Sequence, residues 1–271
     1  MRRILLIDTD WTKKKNPLQS VQSVSSVFHH RNRNIEVNIF KQEILLMRVF
    51  SQLSFFCTVM LLSATVRAEA ADEKLMIGSF SSGSLDHWES RDFKGKTDYQ
   101  LVDLAGTQVL KAESATSASG LFNEQRIDLQ KTPVMNWRWH IKNRLGNDIN
   151  EQEKSGDDYA ARIYVVVNGG VAFWQTKAIN YVWASTSPVG KVWPNAYAYA
   201  GANGKMTMIA LRSSSDQTGT WYSEKRNILA DLKLQFGEDI RYIDAVAIMT
   251  DTDDSHGKVT AYYGDIYFST N

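Results

Sequence analysis

The sequence predicts an all-β fold, specifically a two-sheet antiparallel β-sandwich of jelly-roll type with one short helix. Strand-like segments recur about every ten residues from residue 76 onward, separated by clusters of Gly, Asn, Asp and Ser. Roughly twelve such strands in about 200 residues are more than one open sheet holds without curling or splitting. Two packed sheets therefore account best for the pattern, with a closed barrel as the alternative.

Each predicted strand is a run rich in aromatic and β-branched residues. The segments are Met76–Phe80, Asp98–Asp103, Gln108–Glu113, Gly120–Asp128, Val134–Lys142, Tyr159–Asn168, Val171–Ala184, Val192–Ala200, Lys205–Arg212, Thr220–Ile228, Ile240–Thr250 and Lys258–Phe268. Asn168-Gly169-Gly170 and Asn203-Gly204 predict hairpin turns. The helix is predicted over Leu229–Phe236, because its apolar residues share one face before Gly237 ends it.

A secretory signal peptide is predicted over residues 47–70. Met47-Arg48 gives a short basic start, residues 53–66 contain no charge, and Ala68-Glu69-Ala70 supplies the small residues of a cleavage site. The uncharged run is too short for a membrane span of about 20 apolar residues. We therefore expect a periplasmic or extracellular protein, cleaved near Ala70, without a transmembrane anchor in its mature form.

Residues 1–46 are interpreted as a spurious upstream extension, with translation starting at Met47. The alternative is a start at Met1, which would make these residues a disordered basic arm before a signal anchor. Residues 71–271 are predicted to form a single β-sandwich domain. The only cysteine, Cys57, would leave with the signal peptide, so the mature domain would contain no thiol or disulfide.

The charge balance disfavours nucleic acid and anionic lipid as partners. Residues 71–271 contain 21 Lys and Arg against 25 Asp and Glu. A mildly acidic domain lacks the basic footprint typical of proteins that bind nucleic acid or anionic lipid. We expect a monomer that binds neither, with a glycan as its candidate ligand.

Polar side chains in the middle of predicted strands are the candidate ligand-binding residues. Strand alternation places Trp137 and Trp139 in the core and turns the neighbouring polar residues to the opposite face. The candidates are Arg138, His140, Arg162, Tyr164, Asn180, Trp183, Glu224 and Arg226. They could bind a ligand together on one concave face. Alternatively, the arginines could form structural ion pairs with Glu224, Asp157 or Asp158.

Aromatic residues and acidic clusters suggest further sites. Trp183, Trp193, Tyr197 and Tyr199 flank the loop 185–190 and are candidate exposed platforms for a sugar, with core packing as the alternative. Asp251 and Asp253 could ligate Ca²⁺, although a solvated turn explains them as well. The spacing required for an EF-hand is absent, and no His pair suggests zinc.

Several ordered motifs resemble a known family. They are Trp137-Arg138-Trp139, Gly156–Val166, Ala178–Ala184, Glu224–Ile228, Met249–Asp253 and Tyr263–Ile266. Together they resemble the bacterial secreted domain-of-unknown-function family 3047 over about residues 75–270, a resemblance that implies export but no activity. More loosely, residues 80–88 and 263–266 resemble carbohydrate-binding jelly-roll modules. That resemblance implies a structural calcium at Asp265, the only cofactor we consider.

Three functions fit the sequence. The first is an exported, non-catalytic domain that binds a carbohydrate, such as an acidic polysaccharide. The second is a polysaccharide hydrolase or lyase with Glu224, Asp158 and His140 as acid and base candidates. The third is a structural envelope protein that binds another protein.

We predict that the exported protein begins at Ala71, because Ala68 and Ala70 satisfy the small-residue requirement of signal cleavage. N-terminal sequencing of the secreted product tests this. Recovery of any of residues 1–46 on that product would contradict it.

Overall fold

The computed structural model describes residues 74–146, 148–170, 175–197 and 206–271. The predicted signal peptide, Tyr199 and the Asn203-Gly204 turn lie outside these residues. Within the described part of the chain, no helix is long and apolar enough to span a membrane.

Two seven-stranded sheets form a β-sandwich of jelly-roll type, as predicted. Sheet A contains β1 (Leu75–Gly78), β3 (Asp98–Leu104), β4 (Thr107–Ala115), β7 (Val134–Ile141), β12 (Tyr222–Asn227), β15 (Lys258–Tyr263) and β16 (Ile266–Ser269). Sheet B contains β2 (Trp88–Lys94), β5 (Ala118–Asn123), β8 (Arg162–Val167), β9 (Lys177–Trp183), β10 (Val192–Pro194), β11 (Met206–Arg212) and β14 (Ala245–Asp251). A small third sheet pairs β6 (Ile127–Asp128) with β13 (Tyr242–Ile243).

Strand β7 is the central strand of sheet A. On one side it pairs with β12, and on the other it pairs with both β15 and β16. Those two strands are one predicted strand, interrupted at Gly264-Asp265. β4 and β1 continue the sheet beyond them, and β3 closes it next to β4.

Sheet B is antiparallel except at one pair. Its order is β10-β11-β9-β8-β14-β5-β2, and β9 runs parallel to β11. The predicted antiparallel sandwich is confirmed, and among the described strands this pair is the one parallel exception. The reason is geometric: β11 lies between β9 and β10, which run in opposite directions, so it must be parallel to one of them. β8 and β9 pair antiparallel with Val167 opposite Lys177, so the connection that begins at the predicted Asn168-Gly169-Gly170 turn runs to residue 176. Gly170 adopts a φ of +63°, which glycine tolerates without strain.

Large aromatic side chains fill the space between the sheets. Trp137 and Trp139 of β7 point inward and are 3% and 0% exposed, as their alternation predicts. Trp137 packs on Tyr181 with ring centroids 5.5 Å apart, and Trp139 packs on Trp183 at 6.1 Å. Both partners belong to β9, so these contacts join the centres of the two sheets.

Other boundaries differ from the predicted ones for local reasons. β2 was not predicted, since this strand at the edge of sheet B carries four charged residues and no Val or Ile. The predicted strand Gly120–Asp128 is divided into β5 and β6. Helix α1 spans Ile228–Phe236, one residue longer than predicted. The Asn227 side chain accepts the Ala230 N–H at its start, and Gly237 ends it with a φ of +73°.

We predict that Trp139→Ala lowers the free energy of unfolding by about 3–5 kcal/mol, because it leaves a large cavity in the core. Leu234→Ala is the control, since Leu234 on α1 is 77% exposed and its loss should cost less than about 0.5 kcal/mol. Denaturant unfolding of the two variants measures the difference. Equal stability of both would contradict the inward position of Trp139.

Candidate functional site

Sheet A carries an aromatic cluster on its outer face, the face that points away from sheet B. His140 of β7 stacks on Tyr262 of β15 with centroids 5.0 Å apart and planes inclined by 23°. Trp221, which directly precedes β12, lies 5.4 Å from His140 at an inclination of 65°. All three rings are partly exposed. They form a platform on which an apolar ring face can pack.

The cluster is part of a row of side chains that crosses the sheet. Tyr262 is in register with His140 on one side and with Lys111 on the other, and Lys111 is in register with Gln100. Residues in register point to the same face of a sheet. We call the line Trp221, His140, Tyr262, Lys111 and Gln100 the transverse row. With neighbouring strands about 4.8 Å apart, its four spacings cover about 19 Å.

Arg138 lies next to the transverse row, two residues before His140 on β7. Its guanidinium carbon is 4.6 Å from the centroid of the Trp221 ring, a cation–π contact. Its stem lies over Gly264, where an added Cβ would be 2.5 Å from Arg138 Cγ and 2.6 Å from Nε. The missing side chain of Gly264 therefore provides the space in which Arg138 lies against the sheet.

Basic side chains exceed acidic ones on this face. Its strands and the residue before β1 carry five cations, namely Lys74, Lys111, Arg138, Lys225 and Lys258, against the two carboxylates Asp98 and Glu113. Lys111 pairs with Glu113 at 2.7 Å. Among the described residues, Arg138 and Lys225 have no ion pair. His140 adds no charge at neutral pH, because burial lowers its pKa below its usual value of about 6.5.

The predicted ligand-binding residues do not share one face. Arg138 and His140 lie on the outer face of sheet A, whereas Arg162, Tyr164 and Asn180 lie on the outer face of sheet B. The expected common face is therefore wrong. The alternation within each strand was correct, but β7 and β8 belong to different sheets.

Arg162 is held in a buried ion-pair cluster. Its guanidinium pairs with Asp251 and lies 3.7 Å from Asp157 Oδ2, and its side chain is 3% exposed. The rings of Tyr159 and Tyr164 lie 4.9 and 5.3 Å from the guanidinium carbon. Burial raises the pKa of Asp157 to about 6, and the charge of Arg162 opposes that rise. This arrangement matches the structural alternative for Arg162.

Asn180, Trp183 and Trp193 are buried, at 0%, 1% and 3% exposure. Asn180 donates its side-chain amide to the Thr207 carbonyl at 3.3 Å, and Trp183 donates Nε1 to the Ser213 carbonyl at 3.2 Å. The expectation that Trp183 and Trp193 form exposed platforms is therefore wrong, since both pack in hydrophobic clusters. Tyr197 is partly exposed, and its hydroxyl bonds Asp254 Oδ2 at 2.7 Å.

Glu224 and Arg226 point inward from β12 at the edge of the sandwich. Glu224 Oε1 accepts Trp139 Nε1 at 2.9 Å and Arg212 Nε at 2.6 Å. Arg226 binds the Asp231 carboxylate through both Nε and Nη2, at 2.9 and 2.6 Å. Each of these two charges is thus paired with an opposite charge.

The three acid and base candidates of the enzyme hypothesis lie apart. Glu224 points to the inner face of sheet A and His140 to the outer face of the same sheet. Asp158 accepts the backbone N–H groups of Asp254 and Ser255 in the loop after β14. A pair of carboxylates across a sugar bond therefore does not come from these residues.

The carboxylates considered for calcium already have protein partners. Asp265 accepts the Ser81 N–H at 2.8 Å and the Ser81 hydroxyl at 2.5 Å, so hydrogen bonds connect the end of β15 to the segment after β1. Asp251 pairs with Arg162, and Asp253 lies 3.6 Å from Lys94 Nζ. Oxygens of Asp158, Asp253 and Asp254 lie within 4.8 Å of one another. Calcium binding stays a prediction.

Trp221, Tyr262 and Lys111 were missed by reasoning from the sequence. Alternation along β12 places Trp221 on the face opposite Glu224, so this position could have been predicted from the sequence. The meeting of Trp221, Tyr262 and Lys111 with His140 depends on the pairings of β7 with β12 and β15, and of β15 with β4. Each of these pairings joins segments 80 or more residues apart in the sequence, so the periodicity of a single segment does not reveal them.

A family model described as "Protein of unknown function (DUF3047)" matches residues 86–267. A comparison with curated proteins gives no match.

Several solved structures of carbohydrate-active proteins are similar to this chain. A thermostable cellulase derived from the Cel12A cellulase of Rhodothermus marinus has a TM-score of 0.41 and 9% identity, over 73% of this chain and 100% of that one. The family 30 carbohydrate-binding module of a Clostridium thermocellum cellulase has a TM-score of 0.41 and 12% identity, over 72% and 96%. A family 12 xyloglucanase from Bacillus licheniformis has 0.38 and 9%, over 73% and 97%. At these values the likeness concerns the fold alone.

We predict that Arg162→Ala lowers the free energy of unfolding by about 3–5 kcal/mol, because it leaves Asp251 and Asp157 buried without their cation. The control is Lys233→Ala, since the Lys233–Asp239 pair is 63% and 81% exposed and should contribute less than about 1 kcal/mol. Chemical unfolding distinguishes them. If Arg162→Ala is as stable as the control, the ion-pair cluster is not a structural element.

Proposed function

The chain belongs to the DUF3047 family of proteins of unknown function, and we propose that this member is an exported, non-catalytic domain that binds a carbohydrate. The observation that carries the proposal is the aromatic cluster of Trp221, His140 and Tyr262 on the outer face of sheet A. The predicted signal peptide supports export, and a mature protein in the periplasm or outside the cell would meet envelope or environmental glycans.

The cluster has the composition of a sugar-binding surface. Sugar rings present C–H groups on one face and hydroxyl groups at their edges, so they suit aromatic rings bordered by hydrogen-bonding side chains. Gln100, Lys111 and Arg138 surround the rings and can donate to hydroxyl groups. All five side chains of the row are at least partly exposed, and its length of about 19 Å could accommodate a chain rather than a single sugar.

The polar character of this face disfavours the protein-binding hypothesis. Protein interfaces are typically centred on a contiguous apolar patch. The exposed large hydrophobic residues of the described chain are Met76, Val189, Val192 and Leu234, which lie on four different elements or loops. Only Met76 belongs to sheet A.

We predict that Trp221→Ala lowers the affinity for a bound oligosaccharide by about tenfold or more, because one buried aromatic contact contributes about 1–3 kcal/mol. Tyr242→Ala is the matched control: Tyr242 also packs on an arginine, with Arg126 at 4.3 Å, but belongs to the third sheet. Isothermal titration of the purified protein against a panel of neutral and acidic oligosaccharides measures the effect.

Two results would contradict the proposal. One is that no member of the panel binds the parent protein. The other is that Trp221→Ala binds as tightly as Tyr242→Ala, which would place the ligand on another surface.

A further inference from the structure

We infer that the ligand of this face is an anionic polysaccharide, whose carboxylate or sulfate groups bind Arg138 while its sugar rings pack along the transverse row. This inference rests on the proposed carbohydrate function and specifies the chemical class of the ligand. It is carried by the position of Arg138, by the space that Gly264 leaves for it, and by the local excess of cations.

One face of a mildly acidic chain carries an excess of cations. Residues 71–271 contain more acidic than basic residues, yet the outer face of sheet A has five cations against two carboxylates among its described residues. A face that serves only as a solvated surface gains nothing from such repulsion between like charges. A ligand with negative groups would relieve that repulsion on binding.

The two carboxylates of this face and Arg138 lie on opposite sides of the transverse row. On β4 and β3, Glu113 and Asp98 stand in register with each other on one side of the transverse row, and Lys258 lies on that side too, at the start of β15. Arg138 and Lys225 lie on the other side, along β7 and β12. Anionic groups of a chain bound along the row would therefore face the Arg138 side.

Arg138 has the features of a binding side chain rather than a structural one. Its guanidinium has no carboxylate partner among the described residues, unlike those of Arg162, Arg212 and Arg226. The Trp221 ring and the surface over Gly264 fix its position. A guanidinium held in advance loses little conformational entropy on binding, and its planar donors match the two oxygens of a carboxylate or sulfate.

Gly264 gives a way to test the position of Arg138 without removing its charge. Gly264 is not among the glycines with positive φ, so alanine fits its backbone conformation. The added Cβ would, however, occupy the place of Arg138 Cγ and Nε and force that side chain off the sheet. Gly264→Ala should therefore weaken binding only through Arg138.

The experiment compares polygalacturonate oligomers with their fully methyl-esterified forms, which have the same sugar chain without the charge. The parent should bind the charged form more tightly, and this preference should fall at high ionic strength. Arg138→Gln should reduce affinity for the charged form about tenfold, as expected for a lost hydrogen bond to a charged group, and reduce affinity for the ester by a clearly smaller factor, because the glutamine amide still donates to neutral oxygens. A sulfated and a desulfated chondroitin provide the same comparison for sulfate.

The double variant tests the mechanism. Gly264→Ala should reduce affinity for the charged oligomer in the parent but add nothing in the Arg138→Gln background. Arg126→Gln is the control, because Arg126 stacks on Tyr242 away from sheet A. Melting temperatures of Arg138→Gln and Arg126→Gln should match the parent, because both side chains are at least partly exposed. Gly264 is buried beneath Arg138, so the melting temperature of Gly264→Ala is measured as well, and its affinity is compared at a temperature at which the variant is folded.

The outcomes distinguish failure of the anionic-ligand inference from failure of the proposed carbohydrate function. Equal binding of charged and neutral forms, still sensitive to Trp221→Ala, would overturn the anionic ligand and retain the carbohydrate function. Absence of binding to every glycan, charged or neutral, would overturn both. Equal binding of single-stranded DNA and polygalacturonate, insensitive to Trp221→Ala, would show a general attraction to polyanions and also overturn the inference.

Discussion

The packing of β7 against β9 determines which side chains of β7 lie in the core and which lie on the outer face of sheet A. Trp137 and Trp139 occupy the inner face of β7 and contact Tyr181 and Trp183 across the sandwich. Because side chains alternate along a strand, fixing the two tryptophans inward fixes Arg138 and His140 outward. A shift of one residue in β7 would bury a charge and expose two indoles, so the core and the candidate site depend on the same register.

The outer faces of the two sheets differ in character, and this explains why we place the site on sheet A. On sheet B, Val182, Met208 and Ala210 form a second buried cluster with Trp193, and Asn180 is fully buried beside them. On sheet A, Trp221, His140 and Tyr262 remain partly exposed. Aromatic rings are accessible to a ligand only where the sheet is uncovered, so burial and not residue type distinguishes the two faces.

Much of the fold could be predicted from the sequence, because it is recorded in local patterns. Alternation predicted most strands and the inward residues of β7, and Gly237 predicted the end of α1. The candidate site could be predicted only in part. Arg138 and His140 were identified, but their neighbours come from β12, β15 and β4, whose pairing is set by packing of the whole sandwich. The edge strand β2 was missed because its composition is polar.

Mid-strand arginines illustrate why residue type alone could not separate structural from binding roles. Arg162 and Arg138 have similar sequence surroundings, each between apolar or aromatic neighbours on a strand. The difference comes from distant residues: Asp251 and Asp157 approach Arg162, whereas the position facing Arg138 on β15–β16 is Gly264. A buried arginine with two carboxylates stabilises the sandwich, since removing it would leave charges unpaired. An arginine that rests on a glycine and an indole, and makes no ion pair in the described structure, leaves its hydrogen-bond donors available to a ligand.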